Sequence, residues 1–247
     1  MQIIPLSEGT FTIDKTKIFV PFDKSSDELQ DRPVGSLLVE VQPFLVITSR
    51  DVLLIDTGLG FSVNGEMQIH SNLRKNNIEP EQVTRVLMSH LHKDHAGGLA
   101  AKDRFGNFRL AFPNAKHYVQ RKEMEFALDT GFPSFMTEEI SVLDNESATV
   151  WLNGDGVIDD YISYQVTGAH SPFHQVFRIK EGDETLFFGG DDAPQLQQMK
   201  SRFVAKYDYD GKKCMQLRQQ WWEEGRKLGW TFLFYHDIRS PFYKEPG

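Results

Sequence analysis

The 247 residues include only one cysteine, Cys214. A single thiol cannot form a disulfide within the chain, nor supply a multi-cysteine zinc cluster. Any bound metal must therefore be held by His, Asp or Glu, and Cys214 reads as a packing residue. Basic runs are also missing. Lys212-Lys213 and Arg121-Lys122 are isolated pairs on a chain of formal net charge −8. An acidic molecule without a basic groove repels a phosphate backbone, so nucleic acid is not the expected partner. No stretch approaches the roughly 18 apolar residues of a membrane span, so no membrane partner is expected either. Met1-Gln2-Ile3-Ile4-Pro5 lacks a basic stretch followed by an apolar run, the pattern of a secretion signal. A cytoplasmic protein is the expectation, and the sequon Asn145-Glu146-Ser147 then carries no sugar. No G-x-S-x-G occurs, so no serine nucleophile is expected.

What is present suits one domain over residues 1–247. Hydrophobic residues are 40% and charged residues 25% of the chain, enough to bury a sizeable core. Ser36–Thr48 and Val52–Asp56 read as strands, with Arg50-Asp51 as the turn between them. Glu66–Asn77 reads as a helix and Arg85–Ser89 as a buried strand. Ala148–Leu152, Tyr161–Thr167, Gln175–Lys180 and Thr185–Phe188 form a second strand-rich block. Lys212–Leu228 reads as a helix with Cys214, Leu217, Trp221 and Leu228 on one stripe and Gly229 as its stop. Trp230–Tyr235 is a last buried strand. Strands and helices in each half fit an α+β architecture of two packed sheets with helices outside. Val20–Gly35 and Phe126–Ser147 read as loops, as walls of a cleft or as plain surface insertions.

The chemistry concentrates after one strand. In Ser89-His90-Leu91-His92-Lys93-Asp94-His95-Ala96-Gly97-Gly98, three of the eight histidines and an aspartate fall within six residues. A loop at a strand end can aim such side chains at one point, and imidazoles with a carboxylate suit zinc or a similar divalent cation. His170, Asp191 and His236 each follow a later strand, so they too can reach a sheet edge.

These residues resemble the signature of the metallo-β-lactamase-fold hydrolase superfamily. His90-x-His92-x-Asp94-His95 is similar to its central motif, and Leu53-Leu54-Ile55-Asp56-Thr57-Gly58 to the strand-end D-T-G before it. Thr167-Gly168-Ala169-His170-Ser171-Pro172-Phe173-His174 resembles T-P-G-H-T-P-G-H, with Ala169 and Phe173 in place of glycines. Gly168 could take over the special dihedral there. Phe188-Gly189-Gly190-Asp191 resembles the G-D motif, and His236 sits where the last ligand histidine is expected. The resemblance implies an αβ/βα four-layer sandwich of two mixed sheets flanked by helices. It implies two divalent metal ions, zinc first with Mn2+ or Fe2+ as alternatives. One would be held by His90, His92 and His170, the other by Asp94, His95 and His236, with Asp191 bridging. Asp192 follows directly, and Asp191 is preferred because the family carboxylate comes straight after glycine. Asp56 would orient a ligand histidine from behind, and His174 would be structural rather than a ligand. His70 and His117 match nothing and read as surface or packing residues.

The implied activity is hydrolysis of a small ester-like substrate by a hydroxide shared between the metals, with Asp94 or Asp191 shuttling a proton to the leaving group. The ligand set resembles the lactonase and phosphotriesterase-like branch, and a lactone is the first expectation. Phosphotriester or thioester hydrolysis, or an iron-dependent oxidoreductase of the same fold, are the alternatives. Phe22, Phe132, Phe135 and Phe173 are candidates for an apolar pocket wall. The sequence leaves monomer and homodimer equally open.

Overall fold

The computed structural model describes residues 1–144 and 147–245. Asn145 and Glu146 of the sequon lie outside the described residues. Two six-stranded sheets dominate. In the first, the order is Gln2–Pro5, Phe44–Ile47, Val52–Ile55, Arg85–Leu87, Lys116–Gln120, Thr149–Leu152. Its first three strands pair antiparallel and the rest parallel. In the second, the order is Gly156–Ile158, Ile162–Val166, Gln175–Glu181, Glu184–Phe188, Thr231–Leu233, Phe242–Lys244. Its pairs are antiparallel except Glu184–Phe188 with Thr231–Leu233.

The period-2 alternation of each strand produces the layers. Leu53, Ile55 and Leu87 face inward and pack with Phe177, Ile179, Leu186, Phe188 and Leu233 of the second sheet. Their neighbours Leu54 and Val86 face outward, under Ile69 and Leu73 of helix Gln68–Lys75 and Met124 and Ala127 of helix Arg121–Thr130. On the far side, Phe187, Phe232 and Phe234 pack against Trp221 of helix Gly211–Leu228. Each such fully buried side chain is worth roughly 1.5–3 kcal/mol relative to exposure. The result is helix, sheet, sheet, helix, as the sequence implied.

Three expectations change in detail. The run Ser36–Thr48 is two strands in different sheets, because Pro43 interrupts it. A proline has no N–H to give to a ladder. Leu37–Val41 therefore joins a separate three-stranded sheet with Gly9–Ile13 and Val20–Pro21, and Phe44–Ile47 joins the large one. The stretch Phe126–Ser147 is not a plain loop: it holds the end of helix Arg121–Thr130 and the short helix Thr137–Ile140. On helix Gly211–Leu228, Leu228 is exposed, whereas Arg218 is buried beside Cys214 and Trp221. That helix starts where the Asp210 carboxylate accepts from the Lys213 N–H at 3.0 Å, an N-cap that satisfies one of the free first-turn donors. It stops at the left-handed Gly229. No helix among the described residues is long and apolar enough to cross a membrane.

Candidate metal centre

Every site element sits at one edge of the sandwich, where strands of both sheets end. Asp56 follows strand Val52–Ile55, and His90 follows Arg85–Leu87. Asp191 lies in the 3-10 turn Gly190–Asp192 after Glu184–Phe188, and His236 lies beyond Thr231–Leu233. The structure gathers two groups there. His90, His92, His170 and Asp191 form one, and Asp94, His95 and His236 the other; within each group one ligand atom per residue lies within 4.8 Å of the rest. Asp191 joins the groups. Its Oδ2 is 3.3 Å from His170 Nε2, and its Oδ1 is 3.1 Å from both His95 Nε2 and His236 Nε2. Asp94 Oδ2 stands 3.4 Å from His236 Nε2.

The outer nitrogens fix which way each imidazole presents its lone pair. His95 Nδ1 is 2.7 Å from Asp56 Oδ2 and His170 Nδ1 is 2.9 Å from Asp208 Oδ1. His236 Nδ1 is 2.7 Å from the carbonyl oxygen of Glu40. Ser89 Oγ donates its one proton to Asp56 Oδ2, so it accepts from His90 Nδ1 at 3.0 Å. In its neutral form each of these four rings thus carries its proton outward and presents Nε2 inward as an acceptor. His92 turns Nδ1 inward, 2.9 Å from His90 Nε2 and 3.2 Å from His170 Nε2. At most one of those two contacts can be a hydrogen bond. Asp191 Oδ1 and His95 Nε2 are buried without a hydrogen-bond partner although only 3.1 Å apart. Converging lone pairs and carboxylates buried together are repulsive unless a cation lies between them. The donor set, imidazole nitrogen with carboxylate oxygen, fits divalent metal ions.

Charge asymmetry reinforces the same point for the metal-free chain. Burial, then the neighbouring His170, pushes His92 down to about 3, so it is neutral at working pH. Burial opposes a charge on His236 too, but Asp191 and Asp94 outweigh it and raise His236 to about 10. Asp94 is held down at about 2 against burial by His95 and His236. Without metals, protons on the His236 side balance the two carboxylates, and metal binding has to displace them.

Behind the groups lies a supporting layer. Asp56 accepts from the Ser89 N–H and O–H, both at 2.7 Å, as well as facing His95. His174 Nε2 accepts the Asp191 backbone N–H at 3.1 Å, which leaves its Nδ1 proton facing Asp192 Oδ2 at 3.0 Å. Asp192 also accepts the His170 N–H at 2.7 Å. The adjacent aspartates therefore face opposite ways: Asp191 into the cluster and Asp192 behind it. Gly168 has φ +56°, and a Cβ there would meet the Pro172 carbonyl oxygen at 2.8 Å, so Gly168 bears the left-handed turn and Ala169 fits its own place. His70 and His117 belong to neither group. His117 is fully buried within the first sheet, a packing position.

Sequence reasoning missed Asp208, Glu123 and Arg218. Glu123 is buried and ties the two histidine loops, accepting from Leu91 N at 3.0 Å and from Ser171 Oγ at 3.3 Å. Arg218 donates to the carbonyls of Asp192 and Phe203. Asp208 sits in the unpatterned acidic stretch Tyr207–Asp210, where no spacing singles it out. Backbone bonds from Tyr209 N to His170 O and Asp210 N to Ala169 O, at 3.0 and 2.7 Å, carry it there. Asp208→Asn is expected to weaken metal binding by about 10- to 100-fold, measured by competition with a chelator. Unchanged affinity would show that Asp208 does not orient His170.

Such a cluster at the edge between two mixed sheets defines a class. A model of the metallo-beta-lactamase superfamily matches residues 38–217, and the chain belongs to that superfamily. Among curated relatives it is 28% identical to N-acyl homoserine lactonase AiiA of Bacillus thuringiensis subsp. kurstaki, covering 92% of this chain and 94% of that one. It is 25% identical, over the same shares, to the N-acyl homoserine lactonase of Bacillus cereus. Solved structures share the fold. A probable metal-dependent hydrolase from Staphylococcus aureus superposes with TM-score 0.79 at 23% identity, covering 98% of this chain and 91% of that one. The dizinc quorum-quenching lactonase AidC does so with TM-score 0.72 at 18% identity, covering 99% and 94%.

Proposed function

We propose that this chain, acting as one hydrolase domain, opens lactones at a centre of two divalent metal ions, with zinc the expected metal. The observation that carries this reading is the pair of donor groups joined by Asp191, with inward lone pairs fixed by outward hydrogen bonds. The full-length relatives named as N-acyl homoserine lactonases support the substrate class. His90, His92 and His170 would hold one ion, Asp94, His95 and His236 the other, and Asp191 both. Two such ions supply Lewis acidity towards a carbonyl oxygen and make water acidic enough to attack near neutral pH.

The chain's own residues do the rest. Asp56, Asp208 and the Glu40 carbonyl lock the imidazoles so that no reorganisation accompanies the reaction. Ring opening adds water across the acyl C–O bond, and the departing ring oxygen needs one proton. Asp94 and Asp191 are the carboxylates at the reacting centre that can carry it, both held ionised by the surrounding imidazoles. On one side the half-buried Phe126 and Phe173 rings, packed at 6.2 Å, form an apolar wall that suits an acyl chain, with Phe135 buried behind them at 4.9 Å from His92. Phe22 is buried, and Phe132 is 78% exposed and offers no such wall.

The test is turnover by zinc-loaded protein on a panel of N-acyl lactones, phosphotriesters, thioesters and β-lactams. Lactones are expected to be opened fastest, with activity lost on chelation and restored by zinc. No lactone opening above the metal-free background would end the reading.

A further inference from the structure

Beside Ser134 and Phe135, the chain's acidic character gives way to two lysines, Lys93 and Lys17. Lys93 stands between His92 and Asp94, half-buried, its ammonium 5.8 Å from the centre of the Phe19 ring. Phe19 packs on Phe11 and Phe11 on Phe61, at 6.1 and 5.7 Å. Lys17 reaches the same place from the turn after strand Gly9–Ile13. Its ammonium donates to Ser134 Oγ, while the Lys93 backbone N–H donates to the Ser134 carbonyl oxygen at 2.9 Å. Ser134 directly precedes the Phe135 that packs on His92.

Two features make this more than a chance pair of surface lysines. First, among the described residues neither ammonium is paired with a carboxylate, although the chain carries 35 acidic residues against 27 basic ones. Lys24, nearby in sequence, is paired with Glu40 at 3.2 Å. Second, Lys17 has φ +58°. A side chain with a Cβ pays roughly 1–2 kcal/mol for that left-handed backbone, and such strain persists where the surroundings hold it in place. Here the held object is a cation that donates to Ser134 Oγ.

Resting on the lactonase reading, we infer that Lys93 and Lys17 form an anion subsite, so that the preferred substrate is a lactone whose acyl part crosses the Phe19 ring and ends in a carboxylate. The Lys93 ammonium stands 5.8 Å from the centre of the Phe19 ring, which favours contact with a distal group of the substrate over the carbonyl under attack. A half-buried, desolvated cation discriminates a carboxylate from a methyl group more strongly than an exposed one would.

The experiment compares two N-acyl homoserine lactones of equal chain length, one ending in a methyl group and one in a carboxylate. Zinc-loaded full-length protein is used. The ratio of kcat/KM, carboxylate over methyl, is expected to exceed one and to fall as salt is raised. It should drop about tenfold in Lys93→Met, a change of about 1.4 kcal/mol, persist in Lys93→Arg and invert in Lys93→Glu. A ratio at or below one in the wild type, or the same ratio in Lys93→Glu, overturns the subsite while leaving the lactonase reading intact. If neither lactone is opened, the lactonase reading fails, and calorimetric binding of the same two compounds decides the subsite. A carboxylate preference lost in Lys93→Glu supports it, and equal binding of the two rejects it.

Discussion

Asp191→Ala is expected to lose both metal ions together and to reduce kcat/KM by more than about a hundredfold, beyond the 10- to 100-fold that outer hydrogen-bond partners are worth. Asp191 faces both donor groups: Oδ2 towards His170 and Oδ1 towards His95 and His236. Removing it leaves each group short of a donor and takes away the carboxylate that faces both His95 Nε2 and His236 Nε2. His92→Ala should also lose metal, but from its own group first. His117→Ala should keep both metals and its activity, since His117 belongs to neither group. Metal content by mass spectrometry alongside lactone turnover checks all three. Equal metal loss in Asp191→Ala and His117→Ala would show that the donor list is wrong.

Gly98→Ala is expected to give the largest loss of stability. A Cβ at Gly98 would stand 2.0 Å from the Thr57 carbonyl oxygen, with no positive φ involved. The contact lies in the seam where the D-T-G turn meets the histidine loop: Thr57 N and Oγ1 both donate to the His95 carbonyl oxygen, at 2.7 and 2.9 Å. Backbone on both sides cannot rotate away as a side-chain end could. The seam must open, at a cost on the order of 4 kcal/mol or more. Asp56 and His95 would then part, so metal affinity should fall as well. Gly182→Ala is the control. Gly182 has φ +58° but open space around its Cβ position, so only the left-handed strain of roughly 1–2 kcal/mol applies. Thermal unfolding of the three proteins separates a steric seam from simple loss of glycine freedom. A Gly98→Ala protein as stable as Gly182→Ala would contradict the packing described.

The layers and the cluster were legible in the sequence to different degrees, for physical reasons. Runs such as Val52–Asp56 and Thr185–Phe188 were readable because a strand buried on both faces is apolar throughout. The residues that the structure gathers at the sheet edge stood out because several ligand-type side chains follow such runs. Strand Lys116–Gln120 was missed: His117 and Gln120 are polar yet buried, so the pattern breaks. Helix Arg121–Thr130 was missed in part because its buried Glu123 serves the histidine loops and not an apolar face. The Glu40 carbonyl behind His236 could not be read at all, since backbone oxygens leave no mark on sequence. Arg218 looks like a solvent-facing residue on its helix, and only the fold shows it clamping two loop carbonyls.

A centre of this kind requires two metal ions at the sheet edge. Anomalous diffraction at the zinc edge, from crystals of the zinc-loaded protein, measures that directly. Two peaks are expected, one among His90, His92 and His170 and one among Asp94, His95 and His236, with Asp191 between them. A single peak, or metal bound anywhere away from Asp191, would contradict it.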